Sequence, residues 1–154
     1  MFCVLFYWSF TAGIILILPL IVSNAIAFAM MATGFFWAIP TPITITTSTL
    51  PVTAVGIGLG VDFGVYLLSR IKDEYAVFKD WNKAVENAML TTGKAVVYLS
   101  TTLTIGIFFW VISPLMFQAM MGLFLAIILF LNMLGALFLV PSFVVILKPK
   151  FLTK

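Results

Sequence analysis

The chain has 154 residues, 64% of them hydrophobic and only 8% charged; a soluble domain is about half apolar and roughly a quarter charged, so the solvent that suits this composition is lipid. One cysteine, Cys3, and no histidine exclude an internal disulfide, a zinc or haem centre built from His and Cys, and a histidine-activated nucleophile. The net charge of +3 is not a nucleic-acid signal, because all eight Lys and Arg lie in two blocks, residues 70–94 and 148–154.

The first apolar block runs from residue 2 to residue 40. As one helix it would reach about 58 Å, against ~30 Å of hydrocarbon. The block therefore predicts two spans, 2–22 and 25–39, with Ser23-Asn24, its most polar point, as the turn. Pro40-Thr41-Pro42 ends the second, since proline lacks the N–H and restricts its predecessor. A polar Thr- and Pro-rich loop follows over residues 41–49. The third span is predicted over 50–69.

Between residues 72 and 92 the pattern changes. Tyr75, Phe78, Trp81, Val85 and Met89 recur at three- and four-residue spacing among charges, which predicts an amphipathic helix lying at the membrane surface. Docking of a cytoplasmic partner is the other use of such a face. The fourth span, 95–112, ends at Ser113-Pro114. The fifth, 117–147, holds Pro141 near its end and is followed by Pro149. The expected fold is all-α: a single transmembrane domain of about five membrane-spanning helices plus one interfacial helix. Positive residues mark the cytoplasmic side, so residues 70–94 and the C-terminal tail are expected there. Five spans then put the N-terminus outside, which predicts that another segment precedes it.

Asp62 is the one charged residue inside a predicted span. An ionised Asp at mid-membrane costs ~2.5–3.5 kcal/mol on insertion scales, and such residues usually face a bundle interior and mark ion or proton paths. Gly56, Gly60 and Gly64 form a small-residue stripe for close helix approach. Gly58 shares a face with Asp62 and leaves clearance beside it. Two uses fit: a proton relay, or a neutral acid that hydrogen-bonds another helix. Candidate partners by residue type are Tyr98, Ser100, Thr101, Thr102 and Thr104 in the fourth span and Asn132 in the fifth, with Thr101, Thr102 and Asn132 the relay candidates. Such hydroxyls also commonly serve their own helix carbonyls.

The run GIGLGVDFGVYLLSR at 56–70 resembles the fourth helix of a half-repeat in resistance–nodulation–division (RND) exporters, of the MmpL-like and hopanoid-exporter type. The run AVENAMLTTGKAV at 84–96 resembles the surface helix and the start of the fifth. Ser113-Pro114, Gly122 and Pro141 resemble the turn and sixth helix. The resemblance covers nearly the whole chain. It implies helices two to six of a C-terminal transmembrane half, with porter domains and a second half as partners, contact with membrane lipid, and an oligomer as a further possibility. It also implies a multi-pass protein of the inner membrane, with proton-driven export of lipids or other hydrophobic compounds and Asp62 as relay. No cofactor beyond the proton, no nucleic acid and no enzyme activity are expected. The family often has Tyr where this chain has Phe63, which removes a hydroxyl next to the relay. Two other readings compete: a non-transporting sterol-sensing-like or assembly module, and a SecD/SecF-like translocation auxiliary. An aspartyl intramembrane protease would need a second membrane Asp, and the sequence has none.

Overall fold

The computed structural model describes residues 10–32 and 50–147. The expected start of the first span, the end of the second, the 41–49 loop and the basic tail lie outside these residues. The described residues form an all-α bundle. The helices are α1 (Phe10–Ala32), α2 (Leu50–Phe78), α3 (Trp81–Ala88), α4 (Lys94–Phe108) and α5 (Met116–Leu147). A π-helical turn, Met89–Gly93, joins α3 to α4, and a 3-10 turn, Phe109–Ile112, ends α4. Four stretches are long and apolar enough to cross a membrane, and α3 runs with α4 as one of them.

The first expected boundary moves. One helix passes straight through Ser23-Asn24, so residues 10–32 make one span where a turn between two was predicted. The physical reason is that the polar pair is satisfied inside the bundle. Ser23 lies directly against Gly135 of α5. Asn24 donates to the Leu20 carbonyl at 2.7 Å and to Asn132 Oδ1 of α5 at 3.4 Å. Small and polar residues of this kind join membrane helices rather than end them.

The second change is at the charged connection. A single surface helix over 72–92 was expected, but α2 continues to Phe78 and breaks at Lys79, whose φ is 53°. Asp80 then caps the next helix, its Oδ1 accepting from the Asn82 N–H at 3.1 Å. Across the break Tyr75 and Trp81 stack with ring centroids 3.9 Å apart. The expected stripe is thus divided between the tail of α2 and the helix after the break; Trp81, Val85 and Met89 are only partly buried against the core, and the buried residues of α3 are Ala84 and Ala88, which the stripe did not include.

The core has three layers, and α5 contributes to each. At the charged end Ile15 and Leu16 meet Leu67, Leu68, Ile71, Val140 and Val144. In the middle Phe63 and Val96 meet Met133, Ala136 and Leu137. At the far end Ala27 and Val52 meet Phe124, Leu125, Ile128 and Leu129. This order makes α1 antiparallel to α2 and α5. The Phe10 end of α1 therefore lies at the same end as residues 70–94, not at the opposite end as five spans required. The far-end turn is tight. Ser113 is extended, as expected before Pro114. Its hydroxyl donates to Gln118 Oε1 at 3.3 Å and accepts from the Leu115 N–H at 3.3 Å.

Candidate functional site

The long helix α2 has two unlike faces. On one, Gly56, Gly60 and Gly64 are buried. A Cβ at Gly56 would stand 2.5 Å from Ile128 Cγ2, one at Gly60 would strike the Asn132 side chain, and one at Gly64 would stand 3.0 Å from Leu16 Cδ2. The missing side chains are what let α5 and α1 come this close. On the opposite face, at helical spacing, Val55, Gly58, Asp62 and Tyr66 are all exposed. A Cβ at Gly58 would meet nothing within 4 Å.

The structure thus presents Asp62 outward from this bundle, at mid-span. Among the described residues it makes no hydrogen bond and no ion pair. The partners suggested by residue type are not brought to it. Asn132 lies on the far side of α2, where its Nδ2 donates to the Gly56 carbonyl at 3.0 Å. Thr102 donates to the Tyr98 carbonyl of its own helix at 2.8 Å. Thr101 is exposed, while Ser100 is fully buried on the α4 face that carries Val96. Phe63 is 2% exposed and sits in the middle core layer. It turns away from Asp62's face, so the ring at this position serves packing.

At the charged end Arg70 and Glu74 pair at 2.6 Å, one turn apart. This places the first basic residue of α2 about two turns below Asp62. The stretch that holds α4 is the least covered span, with Tyr98, Ile105 and Phe108 all more than half exposed. Both α2 and α4 therefore carry surface that this bundle leaves open. Sequence reasoning missed the Asn24–Asn132 contact because it took Asn24 for a turn residue. The available signal was that each Asn lies near a small residue, Ser23 and Gly135, in an otherwise apolar run.

The model of the MMPL family matches residues 1–152. A protein of Methanocaldococcus jannaschii named only as a membrane protein is 33% identical over 90 residues, 58% of this chain and 23% of its own length. One of Streptomyces coelicolor, named in the same way, is 30% identical over 90 residues, 58% of this chain and 13% of its own. The trehalose monomycolate exporter MmpL3 of Mycolicibacterium smegmatis is 36% identical over 47 residues, 30% of this chain and 5% of the exporter. The chain thus covers less than a quarter of the curated relatives it matches. No solved structure gives a significant match.

Proposed function

The chain belongs to the MMPL family, and from that premise we propose that it works as the proton-coupled membrane part of an RND-type exporter of lipids or other hydrophobic compounds. Asp62 is the relay. The observation that carries this reading is the placement of Asp62. It is the only acidic or basic side chain well inside the described spans, and it stands on an open face beside the clearance at Gly58. A carboxyl left facing lipid there is costly. A second helical bundle laid over this face would remove it from lipid and give it proton-exchange partners. Repeat transporters work in this way, by one repeat moving against another around a mid-membrane site.

The partner in this reading is a second transmembrane half with its porter domains. The substrate class follows from the likeness to MmpL3, an exporter of trehalose monomycolate by name. The inner membrane is the location, with residues 70–94 and the C-terminal tail in the cytoplasm by the positive-inside rule.

The test is Asp62→Asn in the complete transporter. The amide keeps size and polarity but cannot release a proton. Export is expected to fall to background while the amount of protein in the membrane is unchanged, and Asp62→Glu is expected to keep a measurable part. Normal export by Asp62→Asn at matched protein level would end the relay reading.

A further inference from the structure

The open face of α2 holds two polar side chains, Asp62 and Tyr66, one helical turn apart. Tyr66 is 60% exposed. The residues that can stand against a helical side chain lie three or four positions away. For Asp62 these are Gly58, Leu59, Val65 and Tyr66. Gly58 has no side chain, and Leu59 and Val65 pack against the core. Tyr66 is therefore the one such neighbour on α2 whose side chain can hydrogen-bond the carboxyl.

Direction favours the same pair. Aromatic side chains on a helix lean toward its N-terminus, over the residue one turn back. For Tyr66 that lean runs toward Asp62 and away from Arg70 and the charged end. The common use of a membrane tyrosine, anchoring at the headgroups, calls for the opposite lean. Gly58 leaves clearance on this face, since a Cβ there would meet nothing within 4 Å. Where the face meets hydrocarbon, lipid offers neither group a partner, and a polar group left there without a hydrogen bond is costly.

We propose that Tyr66 is the proton-sharing partner of Asp62. Its hydroxyl donates to the Asp62 carboxylate and accepts from the Asp62 acid, so one side chain serves both states and stays a neutral phenol in each. Tyr66 acts through Asp62 and is a positioning residue: it holds the carboxyl in one orientation for exchange with groups on the covering bundle. A carboxyl has two oxygens, so a partner from elsewhere in the protein adds to the phenol without displacing it. The part in transport rests on the relay reading above; the hydrogen bond itself does not.

The experiment is infrared spectroscopy of the full chain in lipid bilayers, at a pH low enough to protonate Asp62. The carbonyl stretch of the Asp62 acid is located by its loss in Asp62→Asn. Tyr66→Phe keeps the ring, lies outside the three core layers, and is expected to shift that band. Tyr98→Phe, which removes an exposed phenol from α4, is expected to leave it in place. An unmoved band in Tyr66→Phe, or an equal shift in Tyr98→Phe, would overturn the proposal. In the complete transporter Tyr66→Phe is expected to cut export about fivefold, the weight of one hydrogen bond, at matched protein level. Normal export by Tyr66→Phe beside an inactive Asp62→Asn would sink the role of Tyr66 alone, whereas normal export by Asp62→Asn would sink the relay reading.

Discussion

Glycines two residues apart on α2 have opposite duties. At Gly60 a Cβ would run into the Asn132 side chain, with Asn132 Cβ itself 3.0 Å away. Asn132 cannot retreat cheaply, because its amide is held on the Gly56 carbonyl. Gly60→Ala is therefore expected to destabilise the purified protein by about 1–3 kcal/mol, the usual cost of overpacking, read as earlier unfolding in a denaturant titration. Gly58→Ala meets no atom of the bundle and replaces the poorer helix former, a gain of up to ~1 kcal/mol. Its unfolding midpoint is expected to stay level or rise. The stripe at 56, 60 and 64 was legible in the sequence because its spacing alone puts it on one side, and Asp62 was legible because no other charge stands near it. The partners of Asp62 were not. Residue type names every Asn, Ser and Thr as a candidate, but only the packing shows that Asn132 faces Gly60 and that Thr102 serves its own helix.

Helix boundaries divide in the same way. The starts of α2 and α5 and the turn at Ser113-Pro114 follow from hydropathy and proline, which act locally. The fate of Ser23-Asn24 does not, because polarity marks both a turn and a buried interhelical contact, and the choice depends on Gly135 and Asn132 more than 100 residues away in sequence. With that turn mistaken, residues 10–32 were divided between two spans and the Phe10 end was set at the end of the bundle opposite residues 70–94. The break at Lys79-Asp80 was hidden by the amphipathic stripe, which runs across it without a change of period. Its local devices are a left-handed residue and an N-cap, and each can be tested. Asp80→Ala removes the cap, a loss of ~1 kcal/mol for such residues, and is expected to speed amide exchange over Trp81–Ala88 without touching α5. Lys79→Gly relieves a conformation that costs a side chain roughly 1–2 kcal/mol, and is expected to slow it. Equal exchange in both variants would mean that the Tyr75–Trp81 stack alone sets the elbow.

For the whole molecule, the issue is which surfaces meet lipid and which meet protein. The outer face of α1, with Ile14, Ile17 and Ile21 exposed, is uniformly apolar and needs nothing but acyl chains. The open face of α2 carries Asp62 and Tyr66, which lipid solvates poorly. The exporter reading requires a protein bundle over the second face and none over the first. A photo-crosslinking residue placed at Gly58, where space is free, is expected to join the chain to protein in the complete transporter, whereas one at Ile17 is expected to capture lipid. Gly58→Leu should then cut export while leaving the bundle's own unfolding unchanged, because the added bulk meets only the covering helices. If position 58 also captures only lipid and Gly58→Leu exports normally, Asp62 has no second bundle over it. The carboxyl would then be a neutral hydrogen-bonding group at the bilayer surface of the protein, and coupling to proton flow would have no path through this helix.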